Sequence, residues 1–361
     1  MKEMSTILVL LAFWTNLSLF ARVQELSPRI EQYLSSQMHE YGFSGEVLVA
    51  HGDEVLLNKS FAPPSALGSK FNQARKRFPA GSIAEQFIAA AILQLEVVGQ
   101  VRLDSPICDY ISNCPGEWEQ IHILHLLSHS SGLPSLEGIT PCVEHGTSQS
   151  NSSAMIAMLS RRSLLFKPGN KFNANKLDYF FLSLTIEKVS GQPTSLYLEE
   201  HIFHPLKLAQ TGYLVPAPQQ NPLGTKRQEA CLAGDHLANP MPSLFAEDLY
   251  TTIYDLYRWE RALTSDELLP KGSLDQMFTP YTEGHGFGWK IIKEFDRRVA
   301  LQNTEFDSTS VSIRRYPDDD TCIIVVSHRY DVSASSLSHD LGAILFGKRY
   351  PISPNPSSTH P

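Results

Sequence analysis

The hydrophobic patterning of these 361 residues predicts an α+β fold, a sheet flanked by helices with an all-helical insertion in the middle of the chain. Three observations carry this. Strand-like segments lie toward both ends, long helical patterns fill the middle, and neither an internal repeat nor a long linker interrupts the chain. A composition of 42% hydrophobic and 19% charged residues suits a well-packed globular protein of one large or two closely packed domains.

In chain order, Lys2 precedes an apolar stretch from Ile7 to Phe20 that ends in small and polar residues around Ser18 and Ala21. This reads as a secretory signal peptide over residues 1–21, cleaved after Ala21, so the mature protein is expected to be secreted, periplasmic or extracellular. The run is short and broken by Thr15 and Asn16, which argues against a membrane anchor. Residues 22–350 then form the folded domain. The segment GEVLVAHGDEVLLNKSF reads as a hairpin turning at Gly52 and Asp53. Ser82 to Val98 is apolar nearly all round and stops at Gly99, as a buried central helix would. A helical subdomain follows, roughly 100–280, with one helix from Leu177 to Val189 closing on Gly191 and another in AEDLYTTIYDLYRWERAL. GHGFGWKII and STSVSIRRYPDDDTCIIVVS alternate like antiparallel strands around a Pro-Asp turn, and the Pro- and Ser-rich tail, 351–361, reads as disordered.

The net charge of −8 gives no electrostatic reason to expect a nucleic acid or an anionic membrane as partner. The basic run Lys70 to Arg77 reads as a solvated loop. In an exported chain the five cysteines can form disulfides. Cys108 and Cys114 could close a small ring and Cys142 and Cys231 could form a second pair, although spacing does not decide it. Cys322, in TCIIVVS, reads as a small buried hydrophobe. No Cys-x-x-Cys pair is present, so no metal site is expected. Beyond the expected leader, two sequons, Asn58-Lys59-Ser60 and Asn151-Ser152-Ser153, would accept glycans in a eukaryotic secretory pathway.

Five segments now combine: RFPAGSIAEQFIAAAILQLEVVGQVRLDSPICDYI, WEQIHILHLLSHSSGLPS, PGNKFNANKLDYFFLSLTIEKVSGQP, HGFGW and RRYPDDDTCIIVVS. In this order and at these separations, from about Ser44 to Ser327, the chain resembles the β-lactamase-related serine hydrolases. That family includes class C β-lactamases, penicillin-binding proteins, D-alanyl-D-alanine peptidases and esterases. The resemblance implies the serine β-lactamase/penicillin-binding-protein-like fold, an antiparallel sheet flanked by helices plus an all-helical subdomain. It also implies a chemistry without cofactors. A serine at the start of the buried helix attacks a carbonyl, and a lysine one turn later shares its proton. A Tyr-x-Asn element supplies a second relay, a His-x-Gly or Lys-Thr-Gly strand lines the far wall, and backbone N–H groups hold the oxyanion.

Each motif is altered here. Ser82 fills the nucleophile position, but Glu85 stands where the family has lysine. A carboxylate, with an ordinary pKa of ~4.3, is a poor base for a serine, and it brings negative charge beside a developing oxyanion. Ala174, Asn175 and Lys176 occupy the Tyr-x-Asn position, and a one-residue shift to Asn173, Ala174 and Asn175 restores the asparagine but not the tyrosine. Gln302, Asn303 and Thr304 occupy His-x-Gly, so a β-branched side chain replaces the glycine that admits substrate to the strand. The glycine pair expected before Leu249 is Glu247 and Asp248. The scaffold positions Leu126, Leu127, His129, Gly132, Leu133, Pro134, Trp259 and Trp289 match.

Retained scaffold with altered motifs implies a catalytically impaired pseudoenzyme that holds a peptide, a peptidoglycan-like fragment, an ester or a partner in the old active-site cleft. The alternative is a working hydrolase in which Ser82 is served by Lys176 or by a desolvated Glu85. A third reading of Ser82 is purely local: a helix N-cap, completed by Glu85 as a Ser-x-x-Glu capping box. His129 reads as a hydrogen-bonded structural histidine, and His285 faces either solvent or the cleft.

Overall fold

A computed structural model of the chain describes residues 26–62, 77–135, 155–213, 249–306, 309–329 and 332–349. The leader, the 351–361 tail, Cys142, Cys231, the Asn151 sequon, Glu247, Asp248 and all of the basic run except Arg77 lie outside the described residues.

The described chain opens with helix α1 (26–41) and strands β1 (Gly45–His51), β2 (Glu54–Phe61) and β3 (Phe78–Pro79). Helices α2 (Ala84–Val97), α3 (Ile123–Leu127), α4 (Lys176–Ser190) and α5 (Thr194–Leu198) follow, then β4 (Gly212–Tyr213) and β5 (Leu249–Thr251). Next come α6 (Ile253–Ala262), α7 (Lys271–Met277), β6 (Lys290–Glu294), β7 (Arg297–Phe306), β8 (Thr309–Tyr316), β9 (Thr321–Ser327) and α8 (Ala334–Leu345). The chain divides into two compact units. One holds residues 1–76, 293–299 and 305–361, and the other 77–292 and 300–304.

In the first unit β1 and β2 pair antiparallel around Gly52 and Asp53, the hairpin expected from the sequence. They belong to a six-stranded sheet of order β2-β1-β9-β8-β7-β6. Every residue of β9 is buried, which is why TCIIVVS reads as a continuous apolar run rather than an alternating one, and Cys322 is buried within it. The Pro-Asp turn is a short 3-10 segment at Pro317–Asp319 that leads into left-handed Asp320, and it joins β8 to β9. Buried Arg314 of β8 pairs with Glu294 and donates to Ser338 Oγ at 2.7 Å.

The second unit is built on α2, a central helix as its all-round apolar pattern predicts, with eleven of its fourteen residues buried. Phe87 packs its ring 4.5 Å from Trp259 and 5.4 Å from Phe203. Helix α4 runs one residue beyond each expected end and closes on left-handed Gly191. The unit also carries a three-stranded sheet, β3-β5-β4. This corrects one helical expectation. In AEDLYTTIYDLYRWERAL, Leu249–Thr251 is strand β5 and the helix begins only at Ile253, because Thr252 accepts from Asp255 N at 3.2 Å as an N-cap. Likewise the strand expected across GHGFGWKII covers only Lys290–Glu294, since Gly284 and Gly288 take positive φ. Cys108 and Cys114 are joined in a disulfide. Among the described residues no helix is long and apolar enough to cross a membrane.

Candidate active site

Of the residues singled out from the sequence, Ser82, Glu85, His129, Gln302 and Thr304 meet within the second unit, at the entry to α2. A 3-10 turn, Gly81–Ile83, carries Ser82 into the helix. Gly81 has φ +51, and a Cβ there would lie 2.2 Å from Thr304 Oγ1, so only glycine lets this turn close on β7. Strand alternation puts Gln302 and Thr304 on one face of β7, with exposed Asn303 on the other. That shared face grips Ser82 at both polar groups of its backbone. Ser82 N donates to Thr304 Oγ1 at 3.2 Å, and Gln302 Nε2 donates to Ser82 O at 3.1 Å.

The helix-cap reading of Ser82 is corrected by this geometry. The 3-10 turn is preceded by Ala80 and α2 by Ile83, and neither start has a side-chain cap. Ser82 already lies inside the turn, so its hydroxyl is displaced from the capping position. Its half-buried Oγ makes no hydrogen bond among the described residues. Glu85 turns away from the Ser82 N–H and reaches His129 instead, with Oε2 at 3.4 Å from Nε2 and at the same distance from Gln302 Nε2.

His129 is the centre of a buried ionic cluster. Its backbone takes the left-handed φ of +51, a conformation that histidine tolerates better than most residues. Its second ring nitrogen, Nδ1, lies 3.0 Å from Asp178 Oδ2, and Ser131 Oγ donates to the other Asp178 oxygen. Burial, the largest single influence, pulls the imidazole pKa down. The charge of Glu85 and hydrogen bonds to Asp178 and Glu85 outweigh it, so the pKa is pushed up to about 10. A doubly protonated ring cannot act as a base at neutral pH. Burial also raises the Asp178 carboxyl, against the opposing hydrogen bonds from His129 and Ser131. The expectation of a structural His129 matches this environment.

Asp178 was missed in the sequence. The available signal was a lone acid inside LDYFFL, where a buried charge needs a partner. Neighbouring groups fix the frame. Asn175 caps α4 by accepting from Leu177 N at 3.1 Å and donates to Leu133 O at 3.0 Å, while buried Tyr179 donates to Leu127 O at 3.0 Å. Lys176 is exposed at the first position of α4, Ala174 is exposed just before it, and neither bonds to the Ser82 hydroxyl.

His285 is half-buried and stacks on Phe172 with ring centroids 3.5 Å apart. Burial, helped by the charge of Lys290, lowers its pKa. Its Nδ1 is buried with no partner among the described residues. Phe172 in turn meets the His129 ring edge to face, with centroids at 5.8 Å. Gly288, in the following turn, has φ +72 and lies where a Cβ would come within 2.9 Å of the Gln86 backbone, which seats this loop against α2. No group of three or more potential metal ligands exists among the described residues.

A family model described as Beta-lactamase matches residues 30–340. PbpX of Bacillus subtilis (strain 168), named as a penicillin-binding protein, is 28% identical over 265 residues, which is 71% of this chain but only 64% of the length of PbpX. A penicillin-binding protein structure from Bacillus halodurans superimposes with a TM-score of 0.67 at 19% identity, covering 86% of this chain and 98% of that one. A structure titled beta-lactamase/D-alanine carboxypeptidase from Yersinia pestis gives 0.68 at 20% identity, over 89% and 98%. Matched over most of its length by that family model and sharing the fold of these structures, the chain belongs to the beta-lactamase family of serine hydrolases and penicillin-binding proteins.

Proposed function

We propose that this chain is a non-hydrolytic member of the family, exported from the cell, that holds a peptide, a peptidoglycan-like fragment or an ester-bearing ligand or partner without turning it over. One observation carries the reading. The Ser82 peptide is clamped, its N–H by Thr304 and its C=O by Gln302. An acyl-transfer enzyme needs that N–H aimed at the developing oxyanion, and a donor already satisfied by a neighbouring hydroxyl is lost to that task. A proton acceptor is likewise lacking among the described residues. Glu85 and Asp178 are committed to a protonated His129, and no described group accepts from the Ser82 hydroxyl.

The ligand class is supported by relatives named for penicillin binding and D-alanyl-D-alanine carboxypeptidase activity. Export is supported by the apolar N-terminal stretch and by the Cys108–Cys114 disulfide, a bond that persists in oxidising compartments. The half-buried Ser82 hydroxyl, unbonded among the described residues, favours a second reading, a hydrolase with Lys176 as its base.

Intact-mass analysis after treatment with a fluorophosphonate separates the two. The non-hydrolytic reading expects no adduct, whereas a stoichiometric adduct absent from Ser82→Ala and Lys176→Met overturns it. Ligand binding is read by thermal shift with D-amino-acid peptides, muropeptides and penicillins. A ligand at a hundred times its Kd adds about 2.7 kcal/mol of stability, and a flat response across all of them removes the ligand class proposed.

A further inference from the structure

The sequon Asn58-Lys59-Ser60 lies outside everything the Ser82 cluster uses. An N-glycan is compatible with a fold only where the asparagine side chain stands in water and forfeits no internal bond. Asn58 meets that condition. It is exposed on β2 and its side chain makes no hydrogen bond among the described residues.

Strand alternation settles where the group projects. Lys59 pairs with Glu31 of α1 at 3.3 Å, so it faces the helix, and its ammonium lies over the Phe61 ring at 5.7 Å. Asn58 and Ser60, one residue off in register, project from the opposite face of the strand, away from α1. Among the described residues strand β2 is also the edge of the six-stranded sheet, bonded to β1 alone, with Glu54, Val55, Asn58, Lys59 and Ser60 all exposed. An open edge invites pairing with a strand of another chain, and proteins guard such edges with charge or bulk.

We propose that Asn58 is an N-glycosylation site whose oligosaccharide covers the exposed edge strand β2. The inference rests on the export proposed above. The donor is an oligosaccharide on a lipid diphosphate. Asn58 Nδ2 bonds to the anomeric carbon, the carbon–oxygen bond to the diphosphate breaks, and the diphosphate leaves as the amide gives up one proton.

The test is expression of the full chain in cultured mammalian cells, with medium and cytosol analysed separately by peptide mapping before and after peptide-N-glycosidase treatment. Peptide mapping separates Asn58 from the second sequon at Asn151. The expected result is secreted chain in which the Asn58 peptide appears only after deglycosylation, with Asp in place of Asn58. Asn58→Gln, and Ser60→Ala with Asn58 intact, each lose that signal while remaining in the medium. Secreted chain with an unmodified Asn58 peptide overturns the site and leaves export standing. Chain confined to the cytosol, with Cys108 and Cys114 reduced, overturns both.

Discussion

Glu85→Gln removes one negative charge from the buried cluster while keeping an oxygen that can accept from His129 Nε2. At the observed 3.4 Å, and with an effective dielectric of about 20, a unit charge pair interacts by about 5 kcal/mol. Leaving one member of a buried pair uncompensated costs about 3–5 kcal/mol in practice. Asp178 still stands 3.0 Å from the other ring nitrogen, so the low end applies, about 3 kcal/mol near pH 7. With an unfolding entropy of about 2.1 cal/mol/K per residue, that lowers Tm by about 4 °C for a chain of this length. The pH dependence is a sharper signature. The folded pKa of His129 is raised from 6.5 to about 10, so its contribution is fully present below about 6.5 and is lost as pH rises through about 10. The stability gap between wild type and Glu85→Gln should therefore be wide at about pH 7 and shrink toward about pH 10.5. Urea unfolding followed by tryptophan fluorescence at both values reads it. Equal midpoints at neutral pH, or a gap that does not change with pH, refute the charged cluster.

Three further outcomes follow from the same geometry. Glu85→Lys creates the Ser-x-x-Lys spacing that the sequence resemblance implies for hydrolytic relatives but sets a second cation beside protonated His129, so it should be less stable than Glu85→Gln in urea and remain unlabelled by fluorophosphonate; labelling at Ser82 would contradict the clamp. Thr304→Ala removes the acceptor of the Ser82 N–H, and the unfolding free energy should fall by about 1–3 kcal/mol with faster amide exchange at Ser82. Unchanged exchange at that amide would mean the bond does not form in solution. Replacing Cys108 and Cys114 by Ser opens a six-residue separation and should cost about 2 kcal/mol in chemical denaturation, whereas no loss would mean the bridge is not made.

The sheet hairpin, the central helix and the Gly191 stop were legible because each depends on neighbours in sequence: a Gly-Asp turn, an unbroken apolar run, a left-handed cap. Glu85, Gln302 and Thr304 were singled out by counting from segments that keep their spacing, and the structure brings all three to Ser82 or its neighbours. The local reading of Ser82 as a cap failed for a tertiary reason. The capping-box pattern Ser-x-x-Glu is present, but β7 holds the Ser82 backbone and His129 draws Glu85 away, and long-range partners displaced the local ones. Leu249–Thr251 became a strand for a related reason, since flanking strands β3 and β4 were there to pair with it.

Sequence alone determined the family, the main hairpin and the central helices, and which residue types stand at Ser82, Glu85, Gln302 and Thr304, because these depend on residue identity and spacing. Only the tertiary structure decided what the replacements do. Gln302 and Thr304 lie 220 and 222 residues from Ser82, and Asp178 lies 49 from His129. Alternation along a strand tells which side chains share a face, but not which helix entrance that face will meet. Burial tells that an acid needs a partner, but not that the partner is an imidazole held between two carboxylates. Those pairings arise from packing three helices and a strand around one point, and there the serine is held by its own backbone.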